Sequence, residues 1–418
     1  MSRKRQTPAD RGASLVGERY TVDVGPVAHG GHFVARHGGR VIFVRHALPG
    51  ESVVVEVTEG SERSKFLRAD AVEVLRGSPD RVVPPCPFSG PGRCGGCDFQ
   101  HVSLAAQRVL KADVVREQLR RLAGLDVDLT VDAVPGDVGG LWWRTRVQFA
   151  VDDEGRAGLR KHRSHEVVPM DHCPIADPAL PPVLTEEWAG ADMVEALRSS
   201  SGEQLRLVHA GDDVYVDGAR VLHESAAGRD FEVTGSGFWQ VHPGAADALV
   251  SAVIDGLAPQ PGERAADLYA GVGLFSAALA ERVGPTGAVL AVESDEIAVG
   301  DAARNLGDLR HVEPVVDRVE RALRSQKLGE RCELVVLDPP RTGAKRQVVE
   351  AVAALAPRAV AYVACDPGAL ARDVAFFAEQ GYRLSSLRAF DIFPMTHHVE
   401  CVALLEKTSS DLRRSDSR

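Results

Sequence analysis

The chain has 418 residues, 44% hydrophobic and 26% charged, with 49 Lys and Arg against 59 Asp and Glu for a net charge of −10. That length predicts two or three cores, and the composition excludes a disordered, fibrous or disulfide-scaffold protein. No apolar run approaches the ~20 residues a bilayer demands, and seven cysteines are too sparse for a small secreted framework. The opening MSRKRQTPADRG has no signal-peptide apolar stretch, so a cytoplasmic, reducing compartment and no membrane partner are expected. The acidic total argues against non-specific coating of a polyanion, although nucleic-acid recognition depends on local basic surface.

Residues 1–15 read as a basic tail. From 16 to 75, β-rich runs such as YTVDV, GRVIFVRHAL and ESVVVEVTE predict a small β-barrel. There His29, His32, Arg36, His37, Arg40, Arg45 and His46 lie among glycines, as an RNA-facing surface or as the polar faces of an ordinary barrel. Residues 76–230 are expected to form a central β-rich domain with a cysteine and glycine loop and an amphipathic helix ending at Gly124. Its Arg144, Arg146, Arg156, Arg160, Lys161, His162, Arg163 and His165 concentrate positive charge, suited to phosphates or to a solvated hairpin. From 231 to 410, the runs RAADLYAG, GAVLAVES, CELVVLDPP, AVAYVACDP and HHVECVALLEK alternate with helical patterns, which predicts α/β organisation around a mostly parallel sheet. Residues 411–418 are a polar tail.

The run Asp267-Leu-Tyr269-Ala-Gly271-Val-Gly273 joins a strand to a helix. Its glycines permit a tight turn and close ligand approach. About 20 residues later Glu293 ends a strand, where a carboxylate can accept hydrogen bonds from ribose hydroxyls. The pair fits any nucleoside cofactor. Asp338, in DPPR, and Asp317 end further strands on the edge where open sheets bind ligands.

With GFWQVHPG around Gln240, DLYAGVGLFS, DPPRTG, ACDPGALARD and HHVECVALLEK in this order, the chain resembles the class I S-adenosyl-L-methionine-dependent methyltransferases that make 5-methyluridine in RNA. The resemblance runs from an N-terminal TRAM-type RNA-binding barrel to the last strand. It implies a multidomain α/β protein with a C-terminal Rossmann-like methyltransferase sheet. It also implies that Gln240, Asp267, Tyr269, Gly271, Gly273, Glu293, Asp317 and Asp338 hold the methyl donor.

Cys365 ends an apolar strand before Asp366-Pro367-Gly368. A lone cysteine there is a small buried hydrophobe or a nucleophile. Uracil supplies the reason for a nucleophile, because C5 attacks a methyl group only after a thiolate has added at C6. The resemblance matches Cys365 to that thiolate and Glu400 to the base that removes the C5 proton. Where the family often has Asn, this chain has Asp366 and His242; Asp366 is expected to oppose thiolate formation, with Arg341 or Arg372 as a compensating cation.

Cys86, Cys94 and Cys97, in CPFSGPGRCGGC, and the distant Cys173 are thiolates suited to iron–sulfur or zinc. The resemblance implies a 4Fe-4S iron–sulfur cluster, although the first two cysteines are separated by seven residues, Pro87 to Arg93, more than is usual in the family. Cys332 and Cys401 are expected to be packing residues.

The sequence is therefore read as a monomeric RNA uridine-C5 methyltransferase acting on structured RNA. A uridine of 23S ribosomal RNA is favoured, by resemblance. A tRNA T-loop uridine, an RNA cytosine and a non-catalytic RNA-binding protein are the alternatives.

Overall fold

The computed structural model describes residues 12–408 apart from 236, 326–328 and 330, so most of the basic tail and all of 411–418 lie outside the described residues. Residues 12–15 do not hang free: Leu15 packs on the first core, and its N–H donates to Gly60 O.

Strands β1 to β5 (Arg19–Ala28, His32–His37, Arg40–Arg45, Ser52–Glu59, Phe66–Arg76) close a barrel in the order β1-β2-β3-β5-β4. Burial alternates along β4, as a strand with one wet face requires. Phe33, Ile42, Val44, Val53 and Val55 fill the interior. Helix α1 (Leu104–Ala123) is capped by Ser103 Oγ, which accepts from Ala106 N, and stopped by Gly124 at φ 67. A short β6 (Val131–Ala133) follows.

Strands β7 to β12 (Arg146–Val151, Ala157–Arg160, Val167–Pro169, Met193–Arg198, Gln204–Ala210, Asp213–Gly218) form a six-stranded antiparallel sheet. A hairpin of β13 (Val221–Ala226) and β14 (Arg229–Thr234) leads to α2 (Ala245–Leu257). The remainder alternates: β15 (Arg264–Leu268), α3 (Leu274–Val283), β16 (Ala288–Glu293), α4 (Glu296–Asn305), β17 (Val312–Val316), α5 (Val319–Arg324), β18 (Leu334–Leu337), α6 (Lys345–Ala354), β19 (Ala359–Ala364), α7 (Pro367–Glu379), β20 (Tyr382–Asp391) and β21 (Glu400–Lys407).

The large sheet has the order β17-β16-β15-β18-β19-β21-β20-β6. Strands β15 to β19 are parallel and β21 runs against β19. Chain order reverses between β15 and β18, which opens a crevice beyond their carboxyl ends. Strands β18 and β19 are buried throughout, because helices cover both faces.

Packing crosses residue 230. Residues of α1 and β6, Val115, Leu119 and Val131, pack in the same core as Leu337, Tyr362 and Leu370. Phe231 and Val233 of the hairpin pack with Leu249 and Phe275 on the other face. Among the described residues no helix is long and apolar enough to cross a membrane.

Candidate active site and thiol pocket

The crevice is built on strand ends. Asp267 is fully buried, and its Oδ2 accepts from Ser276 Oγ at 2.6 Å while Oδ1 has no partner. Burial, with a contribution from Glu293, pushes its pKa up to about 6 against the Ser276 bonds. Tyr269 holds the left-handed conformation at φ 70, and its N–H donates to Val292 O. Gly271 (φ 54) faces open space, and its N–H reaches Glu293 Oε2 at 3.2 Å. Gly273 (φ 94) has no room for a side chain, since a Cβ would stand 2.8 Å from Leu306 Cδ1.

The other oxygen of Glu293 accepts from Ser294 N, Ser294 Oγ and Asp295 N, which fixes the carboxylate at the end of β16. Asp317 is buried after β17, where its N–H donates to Glu293 O and its carboxylate meets Arg321. Beside them lies a cleft of about 830 Å³ lined by Tyr269, Ser294, Arg318, Glu320, Arg324 and Gln347. Gln240 is half-buried on the loop entering α2. Space over Gly271 and an orphaned Asp267 oxygen fit a nucleoside with a cationic arm, which is the chemistry of S-adenosyl-L-methionine.

Asp338, just past β18, is pushed up to about 7 by burial and then by Asp267. Cys365 and Glu400 come from neighbouring strands, at the carboxyl end of β19 and the start of β21, which runs the other way. Glu400 is buried, contrary to a strand-start carboxylate in water; desolvation first and Asp338 second raise its pKa well above the usual carboxylate range, while Arg341 pulls it back. Cys365 is pushed up to about 11 by burial and Glu400, again opposed by Arg341. Arg341 is thus the cation serving the thiol. Arg372 instead pairs with Asp373 and donates to Thr342 O.

The two residues standing where Asn is usual do an asparagine's local work. Asp366 Oδ1 accepts from Ala369 N at 2.7 Å to cap α7, and His242 Nδ1 accepts from Gly244 N at 3.1 Å while its ring stacks on Trp143. The Asp366 charge is directed at His29 of the barrel, with Nε2 and Oδ2 at 2.9 Å, so it does not face the thiol uncompensated. No signal in the sequence linked residues so far apart.

The basic clusters are mostly neutralised within the fold. Arg144 and Arg146 are largely desolvated, and Arg146 pairs with Glu224. Arg156, Lys161 and Arg163 pair with Asp152, Glu166 and Glu59. On the barrel, His32, Arg45 and His46 are buried against residues outside it, His32 by the His162 ring, Arg45 by Asp98 and His46 by the His101 ring. Charge spacing in sequence carries no information on distant carboxylates, so it left these residues as either an RNA-facing surface or ordinary polar faces.

All seven cysteines are free thiols. Cys86, Cys94, Cys97 and Cys173 lie in one neighbourhood, where burial raises each pKa and the thiols raise one another's. Gly96 N–H donates to Cys94 Sγ and Gln100 Nε2 to Cys97 Sγ, and Arg144 stands beside Cys173, Cys97 and Cys94. Yet among the described residues no three or more His, Cys, Asp or Glu side chains are spaced to hold a metal ion. The ligands of a cluster stand farther apart, because an iron–sulfur cage lies between them, and a buried cation with N–H donors complements its negative charge. Cys332 and Cys401 are buried in the core.

Two family models match: the TRAM domain over residues 13–72 and tRNA (Uracil-5-)-methyltransferase over residues 234–408. The chain is 50% identical to an uncharacterized RNA methyltransferase of Streptomyces avermitilis, covering 95% of this chain and 100% of that protein. It is also 50% identical to one of Streptomyces coelicolor, over 97% of this chain and 96% of that one. The fold is shared with the solved tRNA (uracil-54, C5)-methyltransferase of Pyrococcus abyssi, in complex with S-adenosyl-L-homocysteine, at TM-score 0.69 and 22% identity, covering 93% of this chain and 100% of that one.

Proposed function

The chain belongs to the RNA methyltransferases that join a TRAM domain to a tRNA (uracil-5-)-methyltransferase domain, it uses S-adenosyl-L-methionine, and we propose that it methylates uracil at C5 through a covalent adduct with Cys365. The observation that carries this reading is the meeting of Cys365, Glu400, Asp338 and Arg341 on the sheet edge beside the glycine loop.

The bound donor supplies an electrophilic methyl group on a cationic sulfur. Gln240, Asp267, Tyr269, Gly271, Gly273, Glu293, Asp317 and Asp338 would hold it, and the acids Asp267 and Asp338 would offset its positive charge. In the ligand-free chain burial keeps protons on Cys365 and Glu400. A cation in the crevice favours their release to solvent, as Arg341 already does. The Cys365 thiolate then bonds to C6, which makes C5 nucleophilic enough to take the methyl group, leaving S-adenosyl-L-homocysteine. Glu400 removes the C5 proton, the C6–S bond breaks, and the thiolate is regenerated. The burial that raises the Glu400 pKa makes its carboxylate a strong base.

The substrate in this reading is a uridine of 23S ribosomal RNA, drawn out of its stack into the pocket. It is modified in the cytoplasm by a monomer, since one chain supplies both halves of the site. The second reading, a tRNA T-loop uridine, is favoured by the description of the matching family. Mapping 5-methyluridine by mass spectrometry in RNA from cells with and without the gene separates them: loss only from tRNA overturns the ribosomal assignment. For the chemistry, RNA carrying 5-fluorouridine is expected to stay covalently attached, because C5 then bears no proton for Glu400. Attachment that survives Cys365→Ala overturns the mechanism.

Cys86, Cys94, Cys97 and Cys173 are assigned to a 4Fe-4S cluster that shapes the RNA-binding side of the protein, since methyl transfer by this route requires no electron. The buried Arg144 and the N–H donors on two of the sulfurs support it.

A further inference from the structure

A cavity of about 150 Å³ opens beside Cys365, and one of its walls comes from the N-terminal barrel. The β1–β2 turn of the barrel, His29-Gly30-Gly31, forms that wall; Lys111, Arg341, His397 and His398 line the others. The turn is seated tightly. A Cβ on Gly31 (φ 74) would stand 2.8 Å from His397 Cβ and 3.2 Å from Asp98 Cβ, so only glycine fits there. His397 Nδ1 meets Asp98 Oδ2 at 2.5 Å, and Arg45 of the barrel meets the other Asp98 oxygen at 3.4 Å.

We infer that His29 is a positioning residue of the methyl-transfer site: through Asp366 it fixes the strand-to-helix turn that carries Cys365 and closes one side of the cavity where the base is attacked. The inference rests on the assignment of Cys365 as nucleophile. Asp366 follows Cys365 directly and uses its two oxygens differently. Oδ1 accepts from Ala369 N within its own helix at 2.7 Å, and Oδ2 meets His29 Nε2 at 2.9 Å. An asparagine could cap the helix with its one oxygen, but would turn an uncharged N–H2 group toward the histidine. Two anchors on one carboxylate, one in the helix and one in the barrel, leave the Cys365 turn little freedom to swing. The barrel thereby takes part in the geometry of the reaction as well as in RNA binding.

The contact depends on charge. Asp366 raises the His29 pKa, by hydrogen bond first and by its charge second, against desolvation; from α1, Arg121 opposes the cation and Glu117 favours it. The pair is therefore ionic at lower pH and falls back to a neutral hydrogen bond as pH rises through the His29 value.

The test measures methyl transfer from labelled donor to RNA isolated from cells lacking the gene, across about pH 6 to 9, with the full-length wild type, His29→Gln, Asp366→Asn and the double variant. Asparagine still caps α7, and thermal unfolding verifies that each variant is folded. Each single change is expected to lower kcat about 3–10-fold near pH 6, given a half-exposed pair, with donor affinity unchanged. The gap should narrow as pH rises, and the double variant should be no worse than either single one. Wild-type kcat in the single variants, losses that multiply in the double, or a deficit independent of pH would each overturn the inference. Failure of the underlying chemistry looks different: it requires turnover by Cys365→Ala, whereas an inactive Cys365→Ala beside unaffected His29 variants sinks this inference alone.

Discussion

The donor crevice and the thiol pocket are both lined by buried acidic groups with raised pKa values, but their surroundings are opposite. The crevice gathers carboxyls, Asp267 pushed up to about 6, Asp338 to about 7 and Glu400 well above the usual range, with Arg341 as the countercharge at its far side. The thiol pocket gathers four sulfur groups against the desolvated guanidinium of Arg144, with Arg45 also acting on Cys94. An excess of buried acid suits a cation; in the proposed cluster the four thiolates would outweigh the charge of the inorganic core, and Arg144 would offset the remainder. Burial costs free energy unless the missing charge arrives, so on the proposed assignments each region would be an electrostatic mould of its ligand.

The comparison breaks most sharply at Cys365. Cys365→Ala is expected to lower methyl transfer on the order of 10⁴-fold or more, while the iron and sulfide content of anaerobically purified protein stays unchanged. If the two moulds are one unit, both readings fall together. Glu400→Gln is expected to cost about 10²–10⁴-fold and to leave methylated RNA attached to protein, visible as a slow band on a denaturing gel. Rapid release of product from that variant would remove Glu400 from its role.

In the thiol pocket, Cys97→Ser should abolish bound iron and lower Tm by about 5 °C or more, while donor affinity measured by calorimetry holds. Wild-type protein containing zinc and no iron would refute the cluster. The smallest effect is a pH dependence. On the proposed assignment a cationic donor would bind the ionised form of Asp338, which burial pushes up to about 7 without it. Donor affinity should therefore weaken as pH falls below about 7, approaching tenfold per unit, and Asp338→Asn should flatten that slope. The sign reverses for folding. An acid with a raised folded pKa contributes stability that is lost as pH rises through about 6 at Asp267, so Asp267→Asn should raise the Tm of donor-free protein at alkaline pH.

The parts legible in sequence were those whose chemistry and geometry are local. DLYAGVGLFS, VLAVES, LVVLDPP and AVAYVAC each placed a functional side chain at a strand end, and alternating sheets put strand ends together. What stayed hidden depended on partners far along the chain. Strand β6 has only three residues and no periodicity of its own, so its place at the sheet edge beside β20 could not be read. Arg146 and Arg163 looked available until Glu224 and Glu59 appeared beside them. His29 read as one of several barrel histidines, because nothing in its own segment points to residue 366.

The buried Lys111–Asp391 pair, at 2.5 Å and 280 residues apart in sequence, sets an order of events during synthesis. Helix α1 leaves the ribosome with a lysine that must lose its water, and the carboxylate that compensates it is made 280 residues later. The barrel, whose strands all lie within residues 19–76, can close at once. Leu110 and Val114 of the helix can pack on it, but the side carrying Ala112, Val115 and Leu119 stays uncovered until the sheet that receives it is made. Truncation near the carboxyl terminus should therefore leave a folded barrel attached to a sticky, chaperone-dependent remainder.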